Sequence, residues 1–383
     1  MNTLWQTIVN RAMSLTPVVG VLFLTGCITP PREKLGVDSD NPAFYFQVAV
    51  SPDGKSVAAT RLPADAVLVF DTATGLETLR FLPAELNGRG PNLFDRGTRL
   101  IGPAAVAFTP DQGAVAAYWM QHRRIIVWDV SHSNCLAQIH YQPGSICLAL
   151  SPDGSRVAYE GTNGNLVVQE LTNANPTVQF SLPTHRPQYL TLSPDNRWLA
   201  AIDKAGTTWI WNVQSGRLLQ TIPKPSIGPM TSLAFSADGT MIARSERNLQ
   251  IWRLDPREQL HIFESPRQKA GTRLLGLTIS LLDDGKNTDP TAPFTRNHGA
   301  GPAAFSPDNK YVAVINSTAT LNSMQSKPDM EVRVFSLETG ELVSTLDWPD
   351  IINGLCFGPD GNRIATAGKG VEVWDWHTGQ PAR

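Results

Sequence analysis

The chain of 383 residues reads as an all-β protein assembled from seven copies of one four-stranded antiparallel unit. Three observations carry that reading. A short turn recurs: SPDG at 51, TPDQ at 109, SPDG at 151, SPDN at 193, SADG at 236, SPDN at 306 and GPDG at 358. A five-residue strand pattern follows each copy: VLVFD (67–71), IIVWD (125–129), LVVQE (166–170), TWIWN (208–212), LQIWR (249–253), VRVFS (332–336) and VEVWD (371–375). Successive turns between 109 and 236 lie 42 or 43 residues apart, and the other intervals are longer, as expected of one repeated unit with insertions in some copies.

The first segment stands apart from the repeats. Arg11 is followed by an apolar run over 12–24, too short for a confident membrane span and suited to a signal-peptide core. The run ends in LTGC (24–27), which resembles the bacterial lipobox. That resemblance implies a signal peptide over 1–26, cleavage before Cys27, and acylation of the Cys27 thiol. Two or three acyl chains would then give a stable anchor where one would not. Residues 27–32 become a short lipidated tether. Ile28 follows the cysteine, and by resemblance to enterobacterial sorting this favours the periplasmic face of the outer membrane over the inner membrane.

Residues 33–383 form the repeat domain. Take SLAFSADGTMIARSERNLQIWRLDPREQLHIF (232–263) as the type unit. A short apolar strand leads into the turn, an alternating strand follows, then the five-residue pattern, and a second turn precedes the fourth strand. Pro presets φ at the first corner of the turn, and Gly or Asn accepts the positive φ that closes it. The recurrent turn is therefore the joint between strands one and two of seven similar sheets.

These repeats resemble WD40 repeats, and the resemblance covers residues 47–383. It implies a β-propeller of seven blades around a central channel. Phe70, Trp128, Trp211, Trp252, Phe335 and Trp374 occupy the fourth place of the strand pattern and are read as structural aromatics between blades; Gln169 is the exception. The Gly-His pair that often precedes the first strand of eukaryotic WD40 repeats is absent, so the buried Asp–His–Ser/Thr–Trp network of that subclass is not expected. The last copy shows three strands and then stops. EKLGV (33–37) lies 14 residues before Gln47, as 218–222 lies 14 before Ser232. The expectation is that 33–37 supplies the outer strand of the seventh blade and closes the ring.

Three insertions break the period: 82–103, 265–302 and 316–331. The first two join the fourth strand of one unit to the first of the next; the third joins strands two and three of unit six. In an antiparallel meander both junction types open on one face, so all three decorate the same side. The first insertion contains Arg89, Arg96 and Arg99, and the neighbouring MQHRR loop contains His122, Arg123 and Arg124. Together these six are the candidate partner-binding residues, a basic patch for acidic protein, phosphate or lipid head groups; the alternative is a solvated loop paired to Asp95 and Glu85. LLGLTISLL (274–282) is read as packing within the insertion or as a partner-binding ridge. DDGKNTD (283–289) resembles a calcium loop but lacks the third-position ligand and a terminal Glu, so a polar turn is preferred.

No chemistry-bearing motif is present: there is no HExxH, GxSxG, P-loop or GxGxxG. The seven histidines are dispersed without metal spacing, so neither metal nor cofactor is expected. Of the cysteines beyond Cys27, Cys147 and Cys356 fall in expected inner strands, and the odd count offers no disulfide framework with Cys135. A net charge of −2 excludes a global basic field for nucleic acid. The sequence thus points to a non-enzymatic, lipid-anchored interaction scaffold whose partners are other envelope proteins. A small-molecule or glycan sensor at the channel mouth is the alternative, and a propeller enzyme a more distant one.

Overall fold

The computed structural model describes residues 44–381 except 63–65, 82–102, 110–112, 120–123, 141–147, 162–163, 172–175, 183–186, 204, 224–231, 246–247, 265–299, 318–329 and 349–351. The described strands form seven four-stranded antiparallel sheets, each in simple meander order. Blade 1 spans 44–81, blade 2 103–140, blade 3 148–180, blade 4 187–222, blade 5 232–263, blade 6 300–348 and blade 7 352–381. Within a blade the strands are called a to d, from the axis outward. First strands of successive blades lie side by side all the way round, and Ile352–Phe357 returns against Phe44–Val50. At that closure Asn353 Nδ2 donates to the Tyr45 carbonyl at 3.0 Å. Tyr45 and Phe70 share a buried cluster with Ala365, Ala367 and Val371 of blade 7. The fold is a seven-bladed propeller.

What holds neighbouring blades together is a match of small against large. Strand b carries an alanine at one register position in every blade: Ala58, Ala116, Ala158, Ala200, Ala243, Ala313 and Ala365. Each pairs with Val or Ile in strand c of its own blade. Ala58 shares a buried cluster with Trp128 of the next blade, and Ala158 does so with Trp211. Ala200 lies with the half-buried Trp252, Ala243 with Phe335, Ala313 with Trp374, and Ala365 with Phe70. A methyl on one blade makes the recess into which the next blade's ring fits, as dense interiors require. The seam between blades 2 and 3 is built differently. Gln169 stands where the aromatic would be, and Tyr159, next to Ala158, takes the strand b place held by Ala59, Ala117 and Ala201 in blades 1, 2 and 4. The Tyr159 hydroxyl donates to Gln169 Oε1 at 3.1 Å, so ring and amide have exchanged places within one face of the sheet.

The recurrent turn is a closed hydrogen-bond unit. In blade 1 Ser51 Oγ donates to Asp53 Oδ1 at 2.6 Å, and the Ser56 N–H donates back to Ser51 Oγ at 2.9 Å. The Lys55 N–H donates to Asp53 Oδ1 at 3.0 Å, and Gly54 N–H closes on the Ser51 carbonyl at 2.8 Å. The Ser–Asp bond recurs at Ser151–Asp153, Ser193–Asp195, Ser236–Asp238 and Ser306–Asp308. At the second turn the residue ending strand c does similar work: Asp71 Oδ1 accepts from the Ala73 and Thr74 N–H groups.

Three sequence expectations need correction. The seventh blade has its own outer strand, Gln380–Pro381, although it pairs only with Asp375 and Trp374; in blade 1 strand d pairs with four residues of strand c. Segment 33–37 lies outside the described residues. The insertions are also shorter than expected. Pro103 opens a strand of blade 2, Ala300 opens one of blade 6, and Asn316 pairs with Glu331 while Ser317 pairs with Met330. Strand propensity and cross-strand partners extend the sheets beyond the point where the repeat pattern fades. Finally, Arg124 is not a loop residue: it begins strand c of blade 2, opposite Trp119 and His140.

Candidate functional site

The meander divides the ring into two unlike faces. Turns a–b and c–d lie on one, called the turn face. The b–c hairpins and the connections between blades lie on the other, the insertion face, because each antiparallel strand reverses the direction of its predecessor.

The turn face is sealed by contacts between adjacent turns. Asn196, which closes the blade 4 turn at φ 56°, donates from Nδ2 to Asp153 Oδ2 of blade 3 at 2.6 Å. Asn309 of blade 6 accepts from the Ala237 N–H of blade 5 at 2.8 Å. Arg197 donates from Nη2 to the Asp238 carbonyl of blade 5 at 3.3 Å. Gly154 sits so close to blade 2 that an added Cβ would stand 2.8 Å from the Phe108 carbonyl oxygen. Hydrogen bonds from Ser51 hold the Asp53 carboxyl below its ordinary value. At Asp153 burial pushes upward, but hydrogen bonds from Ser151, Ser155 and Asn196 outweigh it and the net direction is down. Among the described residues, these bonds tie polar groups of adjacent turns to one another.

The insertion face differs. Strand a is bulged near that end in blades 1, 2, 4, 6 and 7, which re-aims residues such as the exposed Gln47 and Gln188. Strand b ends there in buried polar residues. Asp203, 1% exposed, accepts from Trp209 Nε1 at 2.8 Å and from the Thr207 N–H at 2.9 Å. Arg244 is fully buried and donates to three carbonyls of blade 4, Pro223 at 3.0 Å, Gly206 at 3.1 Å and Ile222 at 3.3 Å. Asn316 Nδ2 donates to Glu331 Oε1 at 2.8 Å, and Arg333 Nε lies 2.6 Å from the same oxygen. Asn316 and Arg333 border a small recess lined also by Leu249, Phe263 and Glu264, beside the points where the connections 265–299 and 318–329 leave the ring. Arg61 and Glu160 are buried there too.

Of the six candidate partner-binding residues, Arg89, Arg96, Arg99, His122 and Arg123 lie outside the described residues, as does Cys27. Arg124 is placed at the insertion-face end of its strand. LLGLTISLL, DDGKNTD and Cys147 also lie outside them. Cys356 lies on strand a of blade 7, where burial pushes its thiol up to about 12; Cys135 is exposed on strand d of blade 2. Among the described residues no group of three His, Cys, Asp or Glu is placed to hold a metal ion. The buried ionisable residues at the strand b ends were legible only as single charges inside apolar strands, such as the Arg in MIARS.

Comparison with known proteins agrees with the fold. The family "WD domain, G-beta repeat" matches residues 340–375, which run from the last turn of blade 6 through strand c of blade 7. Target of rapamycin complex subunit LST8 of Rattus norvegicus is 26% identical over 227 residues, covering 53% of this chain and 65% of that protein. The match therefore spans just under two thirds of that relative's length. Small ribosomal subunit protein RACK1 of Candida albicans is 31% identical over 117 residues, covering 28% of this chain and 36% of the relative. Among solved structures, Kuenenia stuttgartiensis hydrazine synthase aligns with TM-score 0.62 at 16% identity, covering 89% of this chain and 97% of that one. The Cps50 (Swd1) β-propeller domain of Myceliophteria thermophila aligns with TM-score 0.61 at 15% identity, covering 90% and 99%. Identities this low speak for the fold alone. The chain is a seven-bladed, WD40-like β-propeller.

Proposed function

We propose that the chain is a membrane-anchored interaction scaffold of the bacterial cell envelope. Its ring is tethered through lipidated Cys27, on the periplasmic side of the outer membrane, and it presents the insertion face to other envelope proteins. The observation that carries this reading is the asymmetry of the two faces. Among the described residues, turns of blades 3 to 6 bond to one another across their seams, whereas the connections 82–102, 265–299 and 318–329 all leave the ring on the opposite side. A rigid ring with variable loops on one side is a common way to build a binding surface. The relatives named above are, by their own names, a complex subunit and a ribosomal subunit protein. The proposed role is binding rather than catalysis.

The test is affinity capture from solubilised envelopes. The intact chain is compared with a version whose 83–101 and 266–299 segments are cut to short turns. Retention of a defined protein by the first and its loss by the second, with equal thermal stability, is the expected result. Identical retention by both would refute the insertion face as the binding surface.

A further inference from the structure

The seam between blades 7 and 1 departs from the other six at the turn face. In blades 2 to 7 the residue after strand c is apolar: Val130, Leu171, Val213, Leu254, Leu337 and Trp376. Each packs into the apolar cluster shared with the preceding blade. Blade 1 has Thr72 at this place, and its hydroxyl donates to the Gly54 carbonyl at 2.9 Å. Across the seam, Gly358 stands where the other turns begin with serine or threonine. Where these two departures meet there is a recess. It is lined by Val50, Val57 and Thr72 of blade 1 and by Pro359, Ala365 and Val373 of blade 7. Its volume is about 230 Å³ with the open mouth included, and its inner end takes one methyl-sized group.

The same face carries a matching projection. Leu76 lies in the c–d turn of blade 1, the turn that Thr72 opens, and its carbonyl accepts from the Asp71 N–H at 3.0 Å. It is 67% exposed, more than any other large apolar residue among those described. One exposed leucine is ordinary by itself. A leucine and an apolar recess close together on one face meet the condition for a two-fold interface, in which the projection of each copy enters the recess of the other. The charges agree with that arrangement. The turn that carries Leu76 is flanked by Asp71 and Glu77, although Glu77 also holds Arg80. Exposed Lys55 and the partly exposed Arg363 stand at the recess. The carboxylates beside them are engaged within their own turns: Asp53 accepts from Ser51 Oγ and the Lys55 N–H, and Asp360 pairs with Arg363 Nε at 2.8 Å.

We propose that the chain pairs with a second copy of itself through this corner of the turn face, Leu76 of each copy entering the recess at the other's seam between blades 7 and 1. The occupant repeats what the ring does for itself at the other seams, where an apolar side chain fills the corresponding place. The contact is small and belongs to the weak, concentration-dependent class, with a Kd on the order of 100 µM. Both insertion faces stay exposed in the pair. That the pair offers two binding faces to envelope partners, with the gain that bivalence brings, rests on the scaffold reading; the pairing itself does not.

The experiment is sedimentation equilibrium of the full chain in density-matched detergent, over about 5 to about 500 µM protein. Wild type is compared with Leu76→Asp, Thr72→Leu, Thr72→Val and Leu136→Asp. The wild type should pass from monomer to dimer across that range. Leu76→Asp removes the projection, and Thr72→Leu fills the recess from within, as Leu171, Leu254 and Leu337 do at their own seams. Each should weaken the dimer at least about tenfold. Thr72→Val keeps the shape of the side chain and should pair as the wild type does. So should Leu136→Asp, which changes a leucine 58% exposed on the outer strand of blade 2, outside the contact. Thermal unfolding of each variant accompanies the measurement, and Thr72→Leu should melt within a few degrees of wild type. The proposal is overturned if the wild type stays monomeric at the highest concentration, or if Leu76→Asp or Thr72→Leu pairs as the wild type does. It is also overturned if Leu136→Asp separates as Leu76→Asp does, or if Thr72→Leu fails to fold, which would show that the recess has no room for a leucine. None of those results would touch the capture experiment, which tests the scaffold reading on its own.

Discussion

Gly154 closes the blade 3 turn at φ 64°. A methyl added there would stand 2.8 Å from the Phe108 carbonyl oxygen, 3.0 Å from its carbon and 3.1 Å from the Thr109 nitrogen, all backbone of blade 2. Gly361 closes the blade 7 turn at φ 71°, yet the same methyl meets only Pro307 Cδ at 3.8 Å. Gly361→Ala therefore carries the left-handed penalty alone, about 1 kcal/mol once the stiffer unfolded chain is credited. Gly154→Ala adds overpacking against backbone that cannot rotate aside, about 1–3 kcal/mol more. Gly239→Ala should fall between them: its methyl would meet Asp195 Oδ2 at 2.8 Å, a carboxylate that can swing only by loosening its bonds to Ser193 and Arg197. Urea unfolding of the three variants and the wild type measures the order. Equal losses at 154 and 361 would show that the turns do not brace one another, and the argument for a sealed turn face would fail.

Other consequences follow from the same structure. Tyr159→Ala should cost about 2–4 kcal/mol by emptying the blade 2–3 seam, and adding Gln169→Trp should restore part of it by recreating the arrangement of the other seams; additive losses in that double-mutant cycle would contradict the exchange of ring and amide. The carboxyls of Asp53, Asp71 and Asp153 sit below their ordinary value of 3.8 in the folded chain, so their stabilisation is present above about pH 4 and is lost as pH falls through the depressed folded values. Acid titration followed by circular dichroism should therefore show Asp153→Asn with a shallower pH dependence below pH 4 than wild type, and an unchanged slope would remove Asp153 from that account. Cys27→Ala should move the chain from the detergent-requiring membrane fraction to the soluble fraction, whereas unchanged fractionation would refute lipid anchoring through Cys27.

Much of the architecture could be read from particular residues. Pro52, Gly54 and their counterparts need a specific φ at a specific corner, so a local rule reports them in all copies but two, where Ala237 replaces the Pro and Gln112 the Gly or Asn. The rings at Phe70 and Trp128 repeat in phase and stand out against the strand that carries them. The alanine of strand b was equally regular but easily passed over, because its meaning lies in the ring of a neighbouring blade and not in its own strand. The outer strand at Gln380–Pro381 was missed because two residues bear no period. The insertion-face residues were hardest. Arg61, Asp203 and Arg244 fall at strand ends where alternation weakens, and whether each has a partner depends on carbonyls and rings that the chain reaches only after a further hairpin.

The division between the faces follows from the turn itself. A residue such as Gly154 or Asn196 touches the preceding blade at the point where it closes its own turn. Lengthening one a–b turn would therefore break a contact with its neighbour as well as its internal bonds, and the cost would spread round the ring. The connections on the other side join strands whose pairing is already complete, and among the described residues the cross-blade bonds there come from strand residues, as from Arg244 to Gly206 and Pro223. Long segments can be accepted there at the modest cost of closing a larger loop, which grows only slowly with length. That freedom is why the insertions lie on one face.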